Sequence, residues 1–137
     1  MDHFSQYVWL YPLRLKSYYM SNIFLKFKAL VENFFKTPII SIYSDGGGEY
    51  KKLNSFFTSH RISHLTTPPH TLQHNGVAER RHRHVVEIGL TLLHQASKPL
   101  SFWSHAFQVA TYLINRLPTA TLNYQTPFQR LFGLSPN

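Results

Sequence analysis

The chain has 137 residues, of which 43% are hydrophobic, 15% aromatic and 15% charged, with 14 Lys and Arg against 6 Asp and Glu. That is one domain's worth of chain with enough apolar side chains for a core, which excludes a disordered tail and a low-complexity linker. The net charge of +8 suits a polyanion, nucleic acid before an anionic membrane, and the absence of Cys removes disulfides and cysteine-ligated zinc.

The first predicted element is a strand, Gln6 to Leu13, rich in aromatic and aliphatic residues and ended by Pro12. A helix follows from Ser17 to Phe35, with Tyr19, Ile23, Phe27, Leu30, Val31 and Phe34 at helical spacing and Ser17 or Ser21 as its cap. Ile39 to Ser44 reads as a short buried strand ending at Asp45-Gly46-Gly47-Gly48. A short helix is expected over Leu53 to Ser59 and a short strand over Arg61 to Leu65. Thr66 to Gly76 is rich in breakers and reads as a loop. The long helix runs from Val77 to Ala96, and Ser97-Lys98-Pro99 ends it. The next helix, from Pro99 or Ser101 to Leu117, places Trp103, Ala106, Phe107, Ala110, Leu113, Ile114 and Leu117 on one side. Thr126-Pro127 is a good cap and first-residue pair for a last helix, Phe128 to Phe132. The order is that of an α/β protein, a single domain over residues 1–137 with no second domain.

No apolar run approaches the roughly 20 residues of a transmembrane helix. The N-terminus lacks the basic-then-apolar order of a signal peptide. The expectation is an intracellular chain, nuclear or cytoplasmic, with no membrane partner.

Only Asp2, Glu32, Asp45, Glu49, Glu79 and Glu87 are acidic, so any carboxylate site draws on these. Asp45 falls at the carboxyl end of a predicted strand beside three glycines, where α/β sheets build their sites, although a plain Asp-Gly turn explains the segment on its own. Glu79 falls in the first turn of the predicted long helix, where a carboxylate also simply suits the helix dipole. On that helix Ala78, Val85, Ile88, Leu92 and Ala96 share the core face. Glu79 lies opposite, with Arg83, Val86 and Leu90 on its stripe and Arg80 and Glu87 beside it. Glu79 and Arg83 also have the spacing of a surface ion pair. Arg81 projects near the core face and is expected to snorkel past its end.

One carboxylate at a strand end and one at a helix start converge on a hard cation, with Arg80, Arg81 and Arg83 beside them to receive a polyanion. Two-metal phosphoryl transfer uses such an arrangement, usually with three acids. His60/His64 and His70/His74 have the (i, i+4) spacing of a zinc pair. They lie at a helix–strand junction and in a Pro-rich loop, with no Cys to join them, so zinc is disfavoured.

The stretches DHFSQYVWLYPL, SDGGGEY, HNGVAERRHRHVVEIGLTLLHQAS, PLSFW and YLINRLPT resemble the integrase core of copia-type LTR retrotransposons, part of a retrotransposon Pol polyprotein. The likeness runs from Asp2 to Asn137. It implies a ribonuclease-H-like fold and an Asp-Asp-Glu triad binding magnesium or manganese. It implies 3′-end processing of the element's DNA and strand transfer into target DNA, carried out by a multimer. In that frame Asp45 matches the second acid and Glu79 the third. Asn75 and Gly76 fall in the mobile loop before the Glu, and Arg83 falls where such helices meet DNA, with Arg80 and Arg81 beside it in the expected nucleic-acid-binding set.

The chain departs from the family pattern in three ways. The first Asp, in a His-x-Asp-x-Trp-Gly-Pro context, is missing, and Asp2 matches a later, non-triad region. The gap between Asp45 and Glu79 holds 33 residues, a couple fewer than usual. Gly46 stands where Asn is common. The family sheet order, 3-2-1-4-5, implies that strand 1 and nearly all of strand 2 are absent. The segment Gln6 to Leu13 is therefore expected to be unpaired or wrongly paired. The expectation is a truncated integrase core, inactive as it stands. The alternatives are a nucleic-acid-binding module without catalysis or a retroelement remnant without function.

Overall fold

The computed structural model describes residues 1–13, 16–44, 47–66 and 72–136, with residues 16–20, 49 and 72–75 described by backbone alone. The elements are α1 (Lys16–Phe35), β1 (Ser41–Ser44), α2 (Gly48–Lys51), α3 (Asn54–Ser59), β2 (Ser63–Thr66), α4 (Leu72–Gln95), α5 (Trp103–Arg116) and α6 (Pro127–Phe132). Single 3₁₀ turns at Leu100–Phe102 and Ala120–Leu122 precede α5 and α6. The chain divides into two compact units, Met1–Pro12 with Val77–Asn137, and Leu13–Gly76.

In the Leu13–Gly76 unit, β1 and β2 pair in parallel, with Ser41 opposite Ser63 and Ser44 opposite Thr66. A parallel pair needs a crossover, and α2 and α3 supply it. Leu53, Phe57 and Ile62 form the core, with Phe24, Ile39, Ile42 and Phe56 packed around them. Phe24 meets Phe56 and Phe57 edge to face at centroid separations of 6.1 and 5.3 Å, the preferred aromatic geometry. The expected buried strand proves half-exposed. Ile39 and Ile42 pack against the core, whereas Ile40 and Tyr43 are 71% and 60% exposed. On α1 the same holds for Leu30 and Phe34, which the periodicity placed on the buried stripe. Ser21 lies inside α1 rather than at its cap.

Glu32 ties α1 to the segment leading into β1. One carboxylate oxygen accepts from Lys28 Nζ and the other from the Ile39 amide at 2.8 Å. The Lys28 hydrogen bond, then the Ile39 amide, hold the Glu32 carboxyl below its ordinary value of 4.5. A group with a depressed folded-state value stabilises the fold above its ordinary value and loses that contribution as acid protonates it. Acidification from about pH 6 to about pH 3 should therefore lower the thermal midpoint of the native chain more than that of Glu32→Gln. The two midpoint curves, measured by circular dichroism, should converge in acid. Parallel curves would show that Glu32 contributes nothing.

In the other unit, α4 packs on α5 through Val85, Ala110 and Ile114, with Ile88, Leu92 and Phe107 alongside. The buried side of α5 is Ala106, Ala110, Thr111, Ile114 and Asn115. Leu113 and Leu117, expected in that stripe, are exposed, since the stripe runs one residue to the side of them. Ala78 and Ala96 are exposed as well, because they lie beyond the stretch of α4 that α5 covers. The predicted cap of α6 is realised. Thr126 Oγ1 accepts from the Gln129 amide at 2.9 Å, Pro127 opens the helix and Gly133 closes it at φ 70°.

Gln6 to Leu13 is not a strand, contrary to the alternation of its side chains. Gln6 sits at φ 58°, in the left-handed region that a strand does not contain. The next backbone partner is a side chain. Asn115 Oδ1 accepts from the Val8 amide and Asn115 Nδ2 donates to the Val8 carbonyl, both at 2.9 Å. A carboxamide presents one acceptor and one donor side by side, as a neighbouring strand does, so one buried Asn serves in place of a strand. Tyr7 and Trp9 project on the same side with ring centroids 4.9 Å apart, and Tyr7 meets Phe132 edge on. The Asp2 carboxylate is already engaged, accepting from the Ser5 amide and hydroxyl at 2.6 Å each.

Candidate functional site

The helix carrying Glu79 begins earlier than its sequence suggests. α4 starts at Leu72, so Asn75 and Gly76 are helical rather than part of a loop. Glu79 lies in the helix's second turn, and the first turn holds no acid. The dipole argument for Glu79 therefore falls away, since that effect is confined to the first turn. Gly in a helix interior costs only about 1 kcal/mol relative to Ala, which a 24-residue helix absorbs.

The packing of α4 decides which residues face outward. Val85, Gly89 and Leu93 are buried and Ile88 and Leu92 half-buried. At about 100° per residue the centre of this face lies opposite Glu79, Arg80, Arg83, Glu87, Leu90 and His94, and all six are exposed. The outward stripe thus presents the Glu79 carboxylate beside two guanidinium groups. His82 and His84 are exposed too.

Arg81 behaves differently from its neighbours. It is half-buried on the core side of α4, and its guanidinium donates to Gln6 Oε1, which also accepts from Thr121 Oγ1 at 3.2 Å. Burial pushes the Arg81 guanidinium below its ordinary value, though an arginine stays charged. Arg81 therefore anchors the left-handed turn at Gln6 as well as contributing positive charge. Nothing in the helical spacing shows this, because Gln6 is 75 residues away.

Asp45 and Gly46 lie outside the described residues, so the expected approach of Asp45 to Glu79 falls there too. Among the described residues no group of three His, Cys, Asp or Glu side chains is placed to hold a metal ion, and no helix is long and apolar enough to cross a membrane. The histidine pair raised for zinc is occupied otherwise. His60 stacks on Phe56 at 3.9 Å between ring centroids. His64 lies on β2 and hydrogen-bonds through both ring nitrogens, to Ser44 and Asn54. His70 is outside the described residues, and His74 is described by backbone alone.

No protein-family model matches the chain. All 137 residues are similar to the retrovirus-related Pol polyproteins from transposons RE2 and RE1 of Arabidopsis thaliana, at 57% and 58% identity. The Pol polyprotein from transposon TNT 1-94 of Nicotiana tabacum is 42% identical over 129 residues, 93% of the chain. The chain spans 9% of the length of the two Arabidopsis polyproteins and 10% of the tobacco one. Its fold is that of a chain in the cryo-EM structure of a simian T-cell lymphotropic virus intasome in complex with PP2A regulatory subunit B56 gamma. That likeness has a TM-score of 0.71 and 22% identity, and covers 99% of this chain and 47% of that one.

Proposed function

We propose that this chain, which belongs to the retrovirus-related Pol polyproteins of copia-type transposons, is part of an integrase core that processes and joins DNA 3′ ends by phosphoryl transfer. The observation that carries the reading is the fold likeness to an intasome chain over 99% of these residues. In a ribonuclease-H-like sheet, β1 and β2 take the places of the fourth and fifth strands, and their parallel register agrees with that assignment. Asp45, directly after β1, and Glu79, on α4, are then the second and third acids.

Carboxylate oxygens suit magnesium or manganese, and Asp45 and Glu79 are the residues that would hold it, one acid short of the usual set. A cation held by Asp45 and Glu79 would supply Lewis-acid activation of the attacking oxygen and stabilisation of the leaving one. Arg80 and Arg83 hold phosphate on the exposed face of α4, with Asn75 and Gly76 one turn before. Arg81 adds charge from the same helix while fixing the turn at Gln6. The first acid belongs to residues upstream in the polyprotein. The protein would act on DNA in the nucleus, as a multimer.

The 137-residue chain should give no strand transfer with magnesium or manganese. A longer polyprotein segment that includes the upstream acid should give it and should lose it on Asp45→Asn or Glu79→Gln. Strand transfer by the short chain, abolished by Glu79→Gln, would overturn the assignment of a missing acid. Activity of the longer segment that survives both substitutions would overturn the site. The second reading is nucleic-acid binding without catalysis. The exposure of Arg80 and Arg83 opposite the α4 core favours it, because that face binds phosphate whether or not the acids work.

A further inference from the structure

The stretch that holds α5 and α6 carries no acid of its own. From Ile88 to Asn137 there is no Asp or Glu, against three cations, Lys98, Arg116 and Arg130. Each of the three rests on an aromatic ring. Lys98 Nζ lies 5.9 Å from the Phe102 ring centroid and Arg130 Cζ 4.2 Å from that of Phe4. Arg116 Cζ lies 3.7 Å from the Tyr112 centroid and 4.7 Å from that of Phe128.

Arg116 differs from the other two in having two rings and being half-buried. Its Nε is the one buried side-chain polar atom without a hydrogen-bond partner among the described residues. Nη1 and Nη2 have no partner there either, and so reach the surface. Arg130, by contrast, is exposed and donates to Gln125 Oε1 at 3.4 Å. Arg116 is the last residue of α5, where a cation suits the helix dipole. The dipole accounts for the charge but not for two rings or an orphaned donor, and such donors are rare in folded proteins. Tyr112, one turn earlier on α5, and Phe128 on α6 fix the guanidinium plane, so little freedom remains to be lost on binding. Partial burial also weakens the screening of its charge. The outward edge is a planar fork that matches two oxygens of a phosphate.

We infer that Arg116 is a nucleic-acid contact in addition to the α4 stripe: its outer edge takes a backbone phosphate, and Tyr112 and Phe128 are positioning residues that hold the fork. This rests on the nucleic-acid reading above and adds to it a residue on α5. The net charge of +8 and the exposed Arg80 and Arg83 in the same compact unit favour a polyanion that meets several cations at once.

The buried Nε–Hε group of Arg116 supplies the direct readout. In the isotope-labelled 137-residue chain its resonance is assigned by its loss in Arg116→Lys. It should shift when a short DNA duplex is added at low salt and return as potassium chloride is raised. Oligoglutamate of equal charge should leave it in place. In a salt titration of duplex binding, Arg116→Ala should flatten the slope by about 0.9. Arg116→Lys should keep the slope and bind more weakly, because the charge remains and the planar fork does not. Tyr112→Leu should weaken binding with the slope intact, and Tyr112→Phe should bind as the native chain does.

Duplex binding that leaves the Arg116 resonance unmoved overturns the inference and spares the nucleic-acid reading. No duplex binding at all overturns both. A shift with oligoglutamate that equals or exceeds the one with DNA assigns the fork to an acidic protein instead. The native slope in a folded Arg116→Ala overturns the contact, and native affinity in Tyr112→Leu overturns the positioning role. If Arg116→Ala does not fold, the resonance of the native chain decides alone.

Discussion

Gly89→Ala should destabilise the chain by about 1–3 kcal/mol, although Ala is the better helix former by about 1 kcal/mol. Gly89 is buried where α4 meets α5. A methyl group there would lie 2.1 Å from Phe107 Cδ1 and 2.6 Å from Cε1, well inside any real contact. The Phe107 ring is not free to swing aside, since it packs against the Val85, Ala110 and Ile114 core and meets Trp103 edge on at 5.7 Å. Overpacking therefore outweighs propensity, and the sign of an ordinary Gly-to-Ala exchange in a helix reverses. The thermal midpoint should fall by several degrees. Pairing the substitution with Phe107→Ala should cost less than the sum of the two single changes, because the second removes the atoms the methyl group strikes. A raised midpoint in Gly89→Ala would mean that the ring relaxes without penalty.

What the sequence discloses follows from how local the determinants are. α4, α5 and α6 are legible because a 3.6-residue period and the Thr126-Pro127 cap act within one segment. The start of α4 is not, because Asn75-Gly76 are breakers by propensity and a long helix overrides them. The segment from Gln6 has the alternation of a strand, and the alternation is real, as the Tyr7–Trp9 contact confirms. Among the described residues it belongs to no strand, and the group that satisfies the Val8 amide, Asn115, lies 107 residues away. α2 escaped notice altogether, since four residues after a glycine run carry no period.

For the candidate site, residue types were readable and placement was only partly so. The outward face of α4 follows from its wheel, and the structure keeps Glu79, Arg80 and Arg83 there. The bond from Arg81 to Gln6 and the link from Ser44 through His64 to Asn54 depend on elements meeting in space. His60 and His64 sit as the segment predicts, at a helix–strand junction, with His60 capping α3, His64 on β2 and a turn between them where Arg61 takes φ 57°.

DNA affinity should collapse with salt, and Arg80 and Arg83 should account for part of the slope. Each lysine or arginine that neutralises a phosphate releases a counterion, so the logarithm of affinity falls by about 0.9 per contact for each decade of salt. A chain with a net charge of +8 and exposed Arg80 and Arg83 on one helix face has the means to make several such contacts. Binding should therefore be largely independent of sequence, measurable at low salt and lost as ionic strength rises. Replacing both Arg80 and Arg83 by Ala should lower affinity and flatten the slope by about one unit per lost contact. Arg81→Ala should behave differently, lowering the thermal midpoint as well, because it frees Gln6 from the anchor that holds its turn. Glu79→Gln should leave binding unchanged or tighten it slightly, since it removes a negative charge from the face that carries Arg80 and Arg83. Fluorescence anisotropy with a labelled duplex, titrated with potassium chloride, reads all four proteins on one scale. Binding that ignores salt, or a double Arg variant with the native slope, would place the polyanion elsewhere than on α4.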